Sequence, residues 1–274
     1  MKARSILAAL VAGVLLAAAP GACGKSAGTD ADPEEAVSEA QTAEDPTMND
    51  RLDMVREQIR ARGVSDPLVL KAMRKVPRHE FVPPEHHRMA YADTPLPIGM
   101  EQTISQPYIV AYMTELAGLK GGERVLEVGT GSGYQAAVLA EIAKEVYSIE
   151  ILCPLEQKAG ATLKRLGYRN VTTRCGDGYQ GWAEHAPFDV VVVTAAADHI
   201  PEPLIRQLRV GGRLVMPVGG SYLQEMMRLT KTASGVHKET LIPVRFVPLT
   251  GPLKEAKPPA DSTGGRAEEG EAGK

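Results

Sequence analysis

A chain of 274 residues, 43% of them hydrophobic and 24% charged, can bury one sizeable core. Its net charge of −3 is spread unevenly: residues 24 to 50 hold eight acidic residues against one lysine, which leaves the stretch from 51 to 250 at +3. That stretch has no block of lysine and arginine interleaved with aromatics, which argues against a nucleic-acid partner. Three cysteines in no ligand spacing argue against a metal site.

The first residues are Met1-Lys2-Ala3-Arg4, a short positive start, and Ile6 to Ala19 is apolar throughout. Such a run is too short for a spanning helix and fits the core of a signal peptide. Cys23 follows Pro20-Gly21-Ala22, which resembles a bacterial lipoprotein cleavage site; the departure is Pro20, where leucine is usual. Residues 1–23 therefore read as a signal peptide of lipoprotein type and 24–50 as an acidic disordered linker. Residues 51–251 form the folded domain, and 252–274 a disordered tail. Two localisations follow: exported, periplasmic or lipid-anchored, or cytoplasmic if translation starts at Met48.

Two helices open the folded domain. RLDMVREQIRARG puts Leu52, Val55 and Ile59 on one face, and a second helix begins at Ser65-Asp66-Pro67; together they form an N-terminal cap on the same domain. His79, His86 and His87 stand beside proline and glutamate and read as solvated loop residues. Ser105-Gln106-Pro107 leads into YIVAYMTELA, a helix that Ser105 is placed to cap. Then comes the most informative stretch, VLEVGTGSGY: Val125, Leu126 and Val128 as a buried strand, Glu127 within it, and Gly129, Gly131 and Gly133 before Tyr134 opens a helix. Glycines at a strand's carboxyl end let a nucleoside lie against bare backbone.

Glu150 closes the strand EVYSIE and lies 21 residues after Gly129, where a ribose-binding carboxylate belongs in a βαβ unit. This spacing suits more than one nucleoside cofactor. A helix follows from Pro154 to about Leu166, stopped by Gly167. The strand NVTTR runs into Gly176-Asp177-Gly178, and FDVVVV (188–193) is a continuous apolar strand of the kind covered on both faces. LRVGGRLVMPVGG (208–220) reads as a helix end, a glycine turn and another strand. The whole is an α/β, doubly wound, Rossmann-like sheet with its ligand crevice at the switch point. Cys153 and Cys175 leave a disulfide open in an oxidising compartment.

A dinucleotide fingerprint would need G-x-G-x-x-G; here Tyr134 holds the third place and Gly133 comes one residue early. The resulting E-x-G-x-G-x-G form resembles motif I of class I S-adenosylmethionine-dependent methyltransferases. The segment Glu101-Gln102-Thr103-Ile104-Ser105-Gln106-Pro107 resembles a hallmark of protein-L-isoaspartate O-methyltransferases. VPRHEFVPP (76–84), PLPIG (95–99), GDGYQGW (176–182), PFDVVVVTAA (187–196), LRVGGRLVMPVG (208–219) and RFVPLTG (245–251) extend the likeness across residues 50–252.

The resemblance implies a methyltransferase that uses S-adenosyl-L-methionine to methylate L-isoaspartyl residues of damaged peptides and proteins; a monomer is expected. It implies that Ser105 is the active-site serine, fixing the substrate carboxylate, and that Gln102, Thr103 and Ile104 fold over the methionine part of the cofactor. Motif I (Glu127, Gly129, Gly131 and Gly133) would take the carboxypropyl end, Glu150 the ribose, and Asp177 with Gly178 the adenine; Thr250, in an RFVPLT strand, would stand near the site. No metal is implied. Where the family usually carries prolines after the fourth strand, this chain has Ala197-Asp198-His199.

Overall fold

The computed structural model describes residues 45–220 and 222–251. The signal peptide and the tail from 252, together with most of the acidic linker, lie outside the described residues.

The N-terminal cap opens with α1 (Met48–Asp53), which widens into a π-helical turn over Met54–Ile59 and tightens into a 3₁₀ turn at Arg60–Arg62. This changing pitch alters the expected face: Met54, Val55 and Ile59 are buried, whereas Leu52 is only partly so. Helix α2 (Pro67–Lys75) starts as the sequence predicts, with the Asp66 carboxylate accepting from the Leu68 amide at 2.8 Å. His79 departs from expectation. It is half-buried, its Nδ1 2.8 Å from the Tyr91 hydroxyl, and burial holds its pKa below the ordinary value.

Next comes a small antiparallel hairpin, β1 (Leu96–Gly99) with β2 (Gln102–Ile104). Its two-residue turn, Met100-Glu101, lies in the left-handed region at φ 52° and 58°, the geometry of a type I′ turn without its usual glycine. Helix α3 (Pro107–Ala117) follows. Its N-cap is Gln106, not Ser105; the Gln106 side-chain amide donates to one Asp93 carboxylate oxygen at 2.6 Å, and the other accepts from the Tyr108 amide of the first turn at 3.4 Å. The capping role expected of Ser105 is thereby corrected: the serine sits one residue too early.

The main sheet has seven strands in the order β5-β4-β3-β6-β7-β8-β9. Strands β3 (Arg124–Val128), β4 (Glu145–Glu150), β5 (Val171–Cys175), β6 (Phe188–Val193) and β7 (Leu208–Gly219) pair in parallel, while β8 (Gln224–Thr232) and β9 (Gly235–Val244) add antiparallel strands at one edge. Side chains alternate across it: Val125, Val190, Val192 and Val215 join a core with the N-terminal helices, and Leu126, Val128, Val191, Val193 and Leu214 join a second core around Phe188. Helices α4 (Tyr134–Ala140), α5 (Cys153–Arg165) and α6 (Glu202–Gln207) cover the faces, with α4 buried along its whole length.

Two local expectations change. Gly211 and Gly212 do not end one element and begin another; they form an irregularity inside β7, where the partners of Phe188 and Val190 are Leu208 and Arg213. Residues 245–250 are not a strand but a returning segment with one bridge, where Leu249 N donates to Ala196 O at 2.7 Å, and with the Gln224 side chain bonded to both the amide and the carbonyl of Phe246. Pro248, which lacks an amide hydrogen, prevents a continuous ladder there.

Candidate active site

The strand order reverses at β3, with β4 on one side and β6 on the other, which opens a crevice at the carboxyl ends of these parallel strands. Gly129, Thr130, Gly131 and Ser132 form one wall, Glu150, Ile151 and Leu152 the next, and Gly178 lies just beyond the end of β5. Hairpin residues Gln102, Thr103, Ile104 and Ser105 close the cleft from one side, and the returning segment Val247–Thr250 from another. The sequence-predicted Ser105, Gln102, Thr103, Ile104, Gly129, Gly131, Glu150, Gly178 and Thr250 thus meet in one place.

Glu127, Gly133 and Asp177 do not reach the cleft wall. Glu127 is wholly buried behind the glycine loop, accepting a short hydrogen bond from the Ser148 hydroxyl, which lies 2.6 Å from that of Thr130. Burial pushes the Glu127 carboxyl up to about 8, opposed by the Ser148 hydrogen bond and reinforced by Glu150. Its other oxygen, Oε1, is buried without a partner. Gly133 is the N-cap of α4 and faces Leu163, so its role is helix packing. Asp177 stands one residue from the wall; Oδ1 accepts from the Tyr179 amide at 3.0 Å, and Oδ2 is buried without a partner.

Glu150 is the hub of the crevice. One carboxylate oxygen accepts from the Gly131 amide at 2.8 Å and the other from the Leu152 amide at 3.0 Å, so the glycine loop and the start of α5 are held to one side chain. Each oxygen keeps a further lone pair for a ligand hydroxyl. Gly178 is required by close approach: a Cβ there would lie 2.4 Å from Val128 Cγ1.

Thr194 has a place in the site that the sequence reading misses. It follows β6 at the switch point, lines the cleft, and donates its hydroxyl to the Gly129 carbonyl at 2.6 Å. Its position at the carboxyl end of a central parallel strand is the signal that could have found it. Asp198 and His199 pair at 2.5 Å, and His199 reaches the Tyr179 hydroxyl at 2.8 Å, tying the loop after β6 to the corner after β5. Cys153 and Cys175 are joined in a disulfide with Cα atoms 5.0 Å apart.

A second cavity abuts the first, sharing Thr103, Ser105, Thr194 and Val247 with it. Arg62, Tyr108 and Arg245 line its far side, and Arg62 lies over the Tyr108 ring at 3.5 Å. The Ser105 hydroxyl stands where the two cavities meet and forms no protein hydrogen bond among the described residues.

Comparison with known proteins accords with this geometry. The profile of the protein-L-isoaspartate(D-aspartate) O-methyltransferase family matches residues 49–254. A protein-L-isoaspartate O-methyltransferase of Gloeobacter violaceus is 61% identical over 72% of this chain and 97% of its own length. One from Opitutus terrae is 59% identical over 74% and 87%. Among solved structures, a protein-L-isoaspartate O-methyltransferase at 33% identity superposes with a TM-score of 0.66, covering 74% of this chain and 66% of that one. The Plasmodium falciparum protein solved in complex with S-adenosyl-L-homocysteine, 28% identical, gives 0.64 over 73% of this chain and 98% of its own. The chain belongs to the protein-L-isoaspartate(D-aspartate) O-methyltransferase family.

Proposed function

We infer that this chain transfers a methyl group from S-adenosyl-L-methionine to the free carboxylate of L-isoaspartyl residues in damaged proteins. The observation that carries the reading is the meeting of two cavities at an unengaged Ser105 hydroxyl: one cavity for the donor, one for the acceptor peptide. The donor fits the residues present. Glu150 offers free lone pairs suited to a ribose diol, and the orphaned Asp177 Oδ2 suits the exocyclic amine of adenine. Gly129 and Gly131 leave backbone bare for the methionine end, beneath Gln102, Thr103 and Ile104.

When bound, S-adenosylmethionine supplies an electrophilic methyl on a positive sulfur, which the carboxylate takes in line to give a methyl ester and a neutral thioether. An acceptor carboxyl with a pKa of about 4 is already ionised at neutral pH, so no general base is needed. Ser105 donates to this carboxylate and fixes its angle of approach. The hairpin and the Val247–Thr250 return exclude water, which favours a step that neutralises opposite charges.

Purified protein incubated with S-adenosylmethionine and an isoaspartyl peptide should give a methyl ester, and the matching aspartyl peptide should not. Equal esterification of both peptides, or of neither, would overturn the reading.

We further infer that the chain is exported, lipidated at Cys23 and active as a monomer. The basic start, apolar run and cysteine support export. So does the Cys153–Cys175 disulfide, a bond that persists mainly in oxidising compartments. Cell fractionation with an antibody tests this; a species found solely in the cytoplasm and beginning near Met48 would sink it.

A further inference from the structure

The disulfide sits where the donor would be gripped. Cys153 is the first residue of α5, three residues after Glu150, and follows Leu152, whose amide holds the Glu150 carboxylate. Cys175 ends β5, two residues before Asp177. In the sheet Cys175 lies opposite Glu150, and the Gly176 amide donates to the Glu150 carbonyl at 2.9 Å. Beyond that bond the two chains leave the ladder, one towards α5 and the other towards Asp177 and Gly178. The disulfide is the covalent tie across this divergence. Both cysteines are exposed, so a soluble dithiol can reach the bond.

We propose that the Cys153–Cys175 disulfide is a positioning element for the donor, setting the separation between the Glu150 corner and the Asp177–Gly178 corner, and that its reduction weakens donor binding. The proposal rests on the placement of ribose at Glu150 and adenine at Asp177 argued above. Reduction takes two electrons and two protons from a dithiol, which closes to its own cyclic disulfide and leaves two protein thiols. The freed corners keep the backbone bonds of the sheet but sample more separations, and binding must then bear the entropy of ordering them. Donor affinity changes; the acceptor cavity shares Thr103, Ser105, Thr194 and Val247 with the donor cavity but no residue of the Glu150 or Asp177–Gly178 corners, and does not.

The test is calorimetric titration of the full chain with S-adenosylhomocysteine, oxidised and then reduced with dithiothreitol, beside the Cys153→Ser/Cys175→Ser double variant and Glu150→Ala. Reduction and the double substitution should each raise the Kd roughly 3- to 10-fold. The KM for an isoaspartyl peptide at saturating donor should stay unchanged, reoxidation should restore the wild-type Kd, and the double variant should ignore dithiothreitol. Because the wild-type bond opens in place, the result does not depend on the variants folding. A bond that merely staples the fold would lower the melting temperature and leave the Kd unmoved, which would overturn the proposal while Glu150→Ala still lost affinity. Glu150→Ala that bound normally would instead overturn the donor placement beneath it.

Discussion

The Thr194 hydroxyl occupies the space that a side chain on residue 129 would need: it donates to the Gly129 carbonyl at 2.6 Å and lies 2.4 Å from where a Cβ would stand. Gly129 also holds φ at +98°, a conformation that side chains rarely adopt. The first turn of the donor loop is thus fixed from β6 as well as from its own strand. Gly129→Ala should lower unfolding free energy by roughly 2–4 kcal/mol and weaken S-adenosylhomocysteine binding. Urea denaturation and calorimetry check it; a variant of wild-type stability would show that the loop relaxes without cost.

Ser105→Ala should leave S-adenosylhomocysteine binding intact and reduce kcat roughly 10- to 100-fold. The serine caps no helix and bonds to no protein group among the described residues, so little stability should be lost. Loss of donor binding on substitution would make Ser105 a structural residue instead.

Glu127 gives the fold an unusual pH dependence. With its pKa pushed from an ordinary 4.5 to about 8, the folded chain keeps a proton that the unfolded chain has released. The folded state therefore binds more protons across this window, and its contribution to stability falls as pH rises from about 4.5 to about 8, at most by about 1.4 kcal/mol per unit. Glu127→Gln, neutral at every pH, should remove this slope and be more stable than wild type at pH 8 by on the order of 3 kcal/mol. Parallel stability curves for the two proteins between about pH 5 and pH 8 would contradict the assignment.

The β1–β2 turn should be improvable. Met100 and Glu101 both sit at positive φ without being glycine. The double substitution Met100→Asn/Glu101→Gly, which supplies the residue pair a type I′ turn favours, should raise stability by about 1 kcal/mol. Thermal melts of the double variant measure it, and a lowered Tm would mean that the Met100 or Glu101 side chain contributes more than its backbone costs.

The parts legible in the sequence are those whose signal is local. The apolar run Phe188–Val193 announces itself by composition, because a strand buried on both faces admits little else, and the glycine loop and Glu150 by their spacing. Less visible are features set by partners distant in the chain. The Met100-Glu101 turn carries no turn residue, so the hairpin beneath Gln102–Ile104 has no compositional mark. Strands β8 and β9 lie at an edge, where one face meets solvent and the hydrophobic pattern is diluted. Glu127 reads as a ligand residue beside its glycines, yet strand alternation turns it inward to Ser148. Thr194 acquires its role solely because β6 is placed next to β3.

The bridge between Ala196 and Pro248 has a consequence for the order of assembly. A chain made from its N-terminus can pair β3, β4, β5 and β6 long before Val247–Thr250 exist, yet these last residues complete the cleft. Nascent protein therefore lacks a finished donor pocket. A chain threaded unfolded across a membrane would arrive empty, and would have to find its methyl donor on the far side.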